Sequence, residues 1–224
     1  MRRVVLPGVF HPLSDTWLLA RTACEQPSAQ RVLELCAGPG LAGIAAARRF
    51  GAHLTTVDVS RRAALNVRLN AWLNGVMVRA LRGDLFAAVA GERFDLILAN
   101  PPYVPGPPPP RRGAARATDA GDDGRAIVDR ICAEAPAHLN PGGVLLVVHS
   151  EVCRTGTTLA AFADGGLDAD IAARERGPLG PLLRARRAEL EARGQLEPGQ
   201  EEEDVLVVRG RLVGSTSAVW QTTP

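Results

Sequence analysis

Apolar positions in this chain fall into two kinds of run that alternate. Short runs of four to six residues, rich in Val, Leu and Ile, predict strands at Arg31–Leu35, His53–Val57, Val76–Leu81, Phe94–Ala99, Val144–Val148, Asp170–Glu175 and Val205–Val208. Between them lie segments whose apolar residues recur at helical spacing: from near Thr16 to Gln26, Leu41–Phe50, Arg61–Asn74, Gly124–Pro136, Thr157–Phe162 and Leu179–Leu190. Ser14 or Asp15 is placed to cap the first helix, with Trp17, Leu18, Leu19 and Cys24 on its apolar side. Leu65, Leu69 and Trp72 supply the predicted buried face of the third, which Asn74-Gly75 stops. Leu139–Gly143 reads as a turn, Glu201–Asp204 as an acidic patch, Met1–Pro12 as an irregular arm, and the residues after Val213 as a loose tail onto which Trp220 packs. Strand–helix alternation of this kind implies a mainly parallel sheet covered on both faces.

Candidate chemistry gathers where the predicted strands end. After Leu35 comes Cys36-Ala37-Gly38-Pro39-Gly40, and then a helix. Glycines there let the main chain turn tightly and approach a ligand, while the helix start presents free N–H groups to an anion. Gly38, Gly40 and Gly43 also satisfy the spacing of a dinucleotide loop, so a nicotinamide cofactor is the competing occupant. Asp58, ending the second strand, is placed for the two hydroxyls of a ribose, and it or Ser60 is placed to cap the following helix. Asp84 follows the third strand and is a candidate acceptor for the amino group of an adenine, with Leu85 or Phe86 as a wall for the ring. The fourth strand runs into Asn100-Pro101-Pro102-Tyr103, which contains the only tyrosine. Two prolines force a stiff extended turn. An asparagine oxygen and a proline carbonyl, the latter without a competing N–H, suit the capture of a planar NH2 group, and the Tyr103 ring can pack over a flat target.

Composition narrows the field. The 224 residues are 46% hydrophobic and 22% charged, enough for one α/β domain over residues 1–224 with a core of Leu, Val and Ala, since aromatics are only 4%. Net charge is +2, which argues against bulk attraction to nucleic acid or membrane. All 26 basic side chains are arginine, so a lysine-assisted hydride transfer is excluded. The four cysteines and four histidines are scattered without metal-ligand or redox-pair spacing. No apolar run is long enough to cross a bilayer, and a reduced, cytoplasmic protein with no metal is expected. Residues 105–124 form a proline- and arginine-rich insert directly after the Asn100 turn, a candidate strap on the substrate side or a solvated loop.

Taken in order, the glycine loop, the acidic strand ends and the Asn100 turn resemble the class I S-adenosylmethionine-dependent methyltransferases. The resemblance sharpens toward the release-factor glutamine methyltransferases of the HemK type. It is carried by Glu34-Leu35-Cys36-Ala37-Gly38-Pro39-Gly40, by Asn100-Pro101-Pro102-Tyr103, and by Gly121-Asp122-Asp123-Gly124 paired with Pro141-Gly142-Gly143. Val9-Phe10-His11-Pro12 followed by Asp15-Thr16-Trp17 looks like the start of the compact branch without an N-terminal helical domain. The resemblance covers roughly Val9 to Arg209. It departs at His11 and Ser14, where that branch has acidic residues, at Cys36, where the loop usually has glycine, and in the insert.

What the resemblance implies is a Rossmann-like fold with a mainly parallel seven-stranded sheet, helices on both faces and an antiparallel last strand. The cofactor is then S-adenosyl-L-methionine. Glu34, Cys36, Gly38 and Gly40 surround its methionine part, Asp58 holds the ribose, and Asp84 with Leu85 holds the adenine. Asp15 and Thr16 lie near cofactor and target. Asn100 and Pro101 grip the target amide, with Tyr103 beside it. The implied acceptor is the N5 of a protein glutamine, with a translation release factor as partner and a small accessory subunit as a further one. Adenine N6 in DNA or RNA, a small molecule, or a non-catalytic cofactor-binding role are the alternatives, the first because the same turn resembles that of adenine methyltransferases.

Overall fold

The computed structural model of the chain describes residues 1–106 and 120–213. Most of the predicted insert and the tail with Trp220 lie outside them. The elements follow one another as α1 (Ser14–Cys24), β1 (Arg31–Leu35), α2 (Leu41–Phe50), β2 (His53–Asp58), α3 (Arg61–Leu73), β3 (Val78–Arg82), β4 (Phe94–Ala99), α4 (Ala126–Glu134), β5 (Leu139–Ser150), α5 (Thr155–Asp164), β6 (Leu167–Pro178), α6 (Pro181–Ala185), α7 (Arg187–Ala192) and β7 (Glu202–Leu212). The strands form a seven-stranded sheet in the order β3-β2-β1-β4-β5-β7-β6. β7 alone runs antiparallel to its neighbours β5 and β6. The expected fold class and its antiparallel last strand are what the chain adopts.

Strand alternation sorts the core into two layers. Val32, Leu54, Leu96, Leu98, Val205 and Val207 face α1 and α2, whereas Leu33, Leu35, Ile97, Ala99 and Val208 face α4 and α5. With helices on both faces the strands are buried twice over, which is why they read as continuous apolar runs. Sheet order reverses between β1 and β4. Connections to either side of that point lead to opposite faces, leaving a crevice at the carboxyl ends of the strands.

Several expected details are corrected. The cap of α1 is Leu13, without a side-chain hydrogen bond. Asp15 lies inside the first turn and is buried, because its carboxylate serves the cleft described below. α3 presents a different face from the one expected: Leu65 and Trp72 are exposed and Leu69 is half-buried. The buried positions include Asn66 and Asn70. These two and Asn74, spaced four residues apart, take the main chain of the N-terminal arm in place of a partner strand. Asn66 exchanges bonds with Leu6 N and Val4 O, Asn70 with the N and O of Val4, and Asn74 with the N and O of Arg2, at 2.7–3.0 Å. The arm is pinned, and its polar backbone dictates polar residues on a helix face that periodicity assigned to the exterior. The expected single helix over 179–190 is two short ones that meet at Arg186. β5 and β7 extend beyond the expected apolar runs, and β3 starts at Val78. The expected turn at 139–143 is absorbed into β5 as a bulge, since Phe94 pairs with Leu139 but Leu96 already with Val144.

Candidate functional site

The crevice holds a cavity of about 550 Å³. Its wall includes Asp15 and Thr16 from α1, Glu34, Cys36 and Gly38 from the first loop, Asp58 from β2, Leu85, and Asn100, Pro101 and Tyr103 from the turn after β4. Ten of the sequence-predicted site residues therefore converge on one space, from segments as far apart as Asp15 and Tyr103.

On the β1 side the loop is shaped by glycine. Gly40 caps α2 at φ 77°, and a Cβ on it would lie 2.9 Å from Val67 Cγ2. Gly40 thus shapes the turn from behind and does not itself line the cavity. Gly43 packs α2 onto β1 so closely that a Cβ would sit 2.6 Å from Glu34 Oε2. In its place, Gly43 N donates to that oxygen at 3.0 Å. Burial, only partly offset by the Gly43 and Ala42 amides and reinforced by the Asp58 charge, pushes the Glu34 carboxyl up to about 8. Asp58 accepts from Gly38 N at 2.9 Å and from Ser60 N at 2.8 Å, while Ser60 Oγ caps α3 through Ala63 N. The acidic group at the end of β2 and the loop are thereby locked in one geometry.

Asp84 departs from expectation. Its carboxylate turns outward to Arg130 of α4, with both oxygens 3.2 Å from the guanidinium, and does not line the cavity. Arg130 offers two parallel donors there. Leu85 does form a wall, at φ 45°, while Phe86 is core and stacks on His138. An adenine would meet an apolar surface here instead of the Asp84 side chain.

On the β4 side a relay of hydrogen bonds orients the turn. Asp15 Oδ1 accepts from Thr16 N at 2.6 Å and from Thr16 Oγ1 at 3.2 Å. With its proton committed to Asp15, the Thr16 hydroxyl accepts from Asn100 Nδ2 at 3.2 Å. The Asn100 amide is thus fixed with Nδ2 toward α1. Its Oδ1 meets no donor among the described residues. Tyr103 donates its hydroxyl to Asp15 Oδ2 at 3.1 Å, and burial together with the Asp15 charge holds the phenol protonated, well above its ordinary range.

Residues without a sequence-level role complete the frame. Cys153 Sγ donates to Tyr103 O at 3.0 Å, and a Cβ on Gly124 would lie 2.3 Å from that same carbonyl. Buried Arg125 ties this corner together through Cys153 O at 2.5 Å, Thr158 Oγ1 at 3.0 Å and Asp129 Oδ1 at 2.6 Å. Gly121-Asp122-Asp123-Gly124 is therefore a buttress for the Asn100 turn. The chain leaves for the insert and returns through a short bridge, Ala120 N to Val104 O and Gly106 N to Gly121 O, at the edge of the cavity. Gly180, Pro181, Leu182 and Leu183 around α6 form a further wall with Glu203 of β7, and Gly8, Val9 and Phe10 of the arm line the cavity as well. Alternation along β7 carries a readable signal for the latter: Glu203 shares its phase with buried Val205 and Val207.

A sheet with one antiparallel strand, a glycine loop, an acidic second strand end and a polar turn after β4 define a class I methyltransferase architecture. Comparison with known proteins takes the assignment further. The methyltransferase small domain family model matches residues 5–164. The putative protein N5-glutamine methyltransferase of Methanocaldococcus jannaschii is 34% identical over 179 residues, covering 79% of this chain and 90% of that one. The release factor glutamine methyltransferase of Geobacter sulfurreducens is 36% identical over 172 residues, covering 73% of this chain but 60% of its own length. Among solved structures, E. cuniculi Mtq2 in its complex with Trm112, responsible for methylation of the eRF1 translation termination factor, superimposes with a TM-score of 0.63. It shares 22% identity and covers 91% of this chain and 98% of that one, a likeness of fold. The chain belongs to the HemK-type glutamine methyltransferase family of class I S-adenosylmethionine-dependent enzymes.

Proposed function

We propose that this protein transfers a methyl group from S-adenosyl-L-methionine to the side-chain amide nitrogen of a glutamine in a protein. The observation that carries the reading is the oriented Asn100 amide, whose Oδ1 meets no donor among the described residues and lies beside the Pro101 carbonyl.

The cavity fits the cofactor. Glu34 is a buried carboxyl in want of a cation, which suits the methionine ammonium, and its bond to Gly43 N fixes its position. The Asp58 carboxylate suits the ribose hydroxyls, and Leu85 and Val57 offer a face for the adenine. Bound there, S-adenosylmethionine supplies an electrophilic methyl on a sulfonium and leaves as the neutral thioether.

An amide nitrogen is a poor nucleophile because its lone pair is delocalised into the carbonyl. Asn100 Oδ1 and the Pro101 carbonyl are suited to accept the two N–H bonds of the target. They hold the nitrogen in line with the methyl and stabilise the positive charge that develops there, until one N–H proton is lost to solvent. Thr16 and Asp15 act through Asn100 as positioning residues. Tyr103 packs beside the target and stays protonated through Asp15.

The relatives named above support a protein substrate, and a translation release factor is the proposed one. A small accessory subunit is proposed as a further partner. Its support is the Mtq2–Trm112 complex together with the open edge of β3, beside which Leu65, Trp72 and Met77 are 57%, 75% and 79% exposed. The test is transfer of labelled methyl into separated protein, nucleic-acid and small-molecule fractions of a cell extract, followed by mass spectrometry. N5-methylglutamine in protein supports the reading. Label confined to adenine or to a small molecule overturns it, and no label anywhere favours a binding role.

A further inference from the structure

Glu203 takes no part in the amide grip described above, yet its surroundings are those of a ligand contact. It lies near the start of β7, opposite Gly177 of β6, two residues before Val205 pairs with Ser150 of β5. Along the sheet the order is β2, β1, β4, β5, β7, so Asp58 and Glu34 sit to one side of Asn100 and Glu203 to the other. The cofactor residues claim the first side. The second is where the rest of the acceptor must pass.

The side chain is 8% exposed and lines the cavity. Its Oε1 accepts from Gly180 N at 2.7 Å, anchoring the residue to the α6 wall. Its Oε2 is buried and has no partner in good hydrogen-bond geometry among the described residues; the buried Ser150 hydroxyl is close enough to favour the charged carboxylate but does not close a bond to that oxygen. An acceptor left empty in the interior is costly, and native proteins rarely keep one without a use. The neighbouring carboxylate has no such vacancy: Asp15 is committed to Thr16 and Tyr103 through both oxygens.

We propose that Glu203 is an acceptor-recognition residue, whose Oε2 takes a hydrogen bond from a main-chain N–H of the substrate peptide next to the target glutamine. This rests on the protein-glutamine reading above. A peptide N–H fits better than an ammonium group, because Oε1 is taken by Gly180 N and both Asp15 oxygens are spent on Thr16 and Tyr103, which leaves one oxygen and a single bond beside the Pro181, Leu182 and Leu183 wall, and a desolvated cation needs more than that. With the glutamine side chain gripped at Asn100, a main chain held at Glu203 fixes the substrate at a second point and sets its direction across the cleft.

The experiment uses the glutamine-containing peptide that the wild-type enzyme methylates, and depsipeptide analogues in which an ester replaces, one at a time, the N–H of the target residue and of its two neighbours. Glu203→Gln keeps the Gly180 bond through its amide oxygen and replaces Oε2 by an NH2, turning an acceptor into a donor. Glu203→Asp keeps the charge but withdraws it. Both variants should raise peptide KM at least about 10-fold, the effect of losing one hydrogen bond to a charged group, with kcat and cofactor affinity within about 2-fold of wild type. One ester analogue should lose as much with the wild-type enzyme and nothing further with Glu203→Gln. An unchanged KM in folded variants, or ester losses independent of Glu203, overturns the inference alone. A wild-type enzyme that methylates no glutamine overturns the functional reading and this inference with it.

Discussion

Cofactor binding should release a proton, and Glu34 is the group that loses it. In the protein without ligand its carboxyl titrates near 8 because burial outweighs the two amides that reach it. At pH 7 roughly nine molecules in ten then carry the proton, and at pH 6 nearly all do. A methionine ammonium beside the carboxyl favours the charged form and drives the proton off. Below pH 8 the binding of the cofactor must therefore work against protonation, and affinity should rise by about 9-fold between pH 6 and pH 7. That window ends below the values of about 7.7–8.0 at which α-ammonium groups lose their own proton. Calorimetry in phosphate and in imidazole, whose ionisation enthalpies differ, reads the proton directly: about one released per cofactor at pH 6 and about nine-tenths at pH 7. Glu34→Gln should abolish both the slope and the buffer dependence. The same shift has a sign for stability. A carboxyl raised in the folded state binds more protons there than in the unfolded chain, so the ligand-free protein should lose stability as pH rises from about 4.5 to 8, and the variant should not share that loss. Affinity flat across the window, with equal heats in the two buffers, would refute the reasoning.

Other consequences are as direct. Asn100→Ala removes the oxygen aimed at the target and should lower kcat by about 10²–10³-fold while cofactor affinity holds, as read by single-turnover kinetics beside a binding titration; near-normal turnover rejects the role. Thr16→Val lets the Asn100 amide rotate and should lower kcat about 10-fold, with rescue by Thr16→Ser; a serine variant as impaired as valine would mean that shape, not the hydroxyl, matters. Gly124→Ala forces a Cβ to 2.3 Å from Tyr103 O at φ 76° and should cost about 2–3 kcal/mol in thermal unfolding, so an unchanged Tm would remove Gly124 from the buttress.

The part of the site that was legible in the sequence is the part written in consecutive residues. Strand, glycine loop and helix at 31–50 are a local device, and each glycine has its reason within reach: Gly40 turns the chain, and Gly43 lets Glu34 and α2 meet. The double proline after Ala99 likewise states its geometry without help from elsewhere. Where partners come from far along the chain, periodicity misled or was silent. The apolar stripe of Leu65, Leu69 and Trp72 is as good a helical pattern as any in the protein. It fails because the opposite face has work at a sequence distance of 60–72 residues, holding the backbone of the arm. The Asp84 carboxylate is turned out of the cleft by a partner equally remote in sequence, since Arg130 lies 46 residues away.

That asymmetry follows from how the cleft is divided. The side proposed for the cofactor draws mostly on β1, β2 and the loops after them, so a contiguous stretch suffices to reveal it. The acceptor side is assembled from the first helix, the turn after β4, the α6 segment and the antiparallel strand β7, which only the sheet order brings together. β7 enters between β5 and β6, and this insertion carries Glu203 to the carboxyl edge of a sheet whose other strands run the opposite way. An acidic run at the start of an antiparallel strand reads locally as a solvated patch. Its phase relative to Val205 and Val207 is the one clue that a carboxylate is turned inward, and the phase acquires chemical meaning only once Asn100 is known to lie further along the same edge. The wall proposed to recognise the acceptor is thus the least legible part of the molecule, and changes along it should alter the choice of substrate while the glycine loop and the Asn100 turn stay the same.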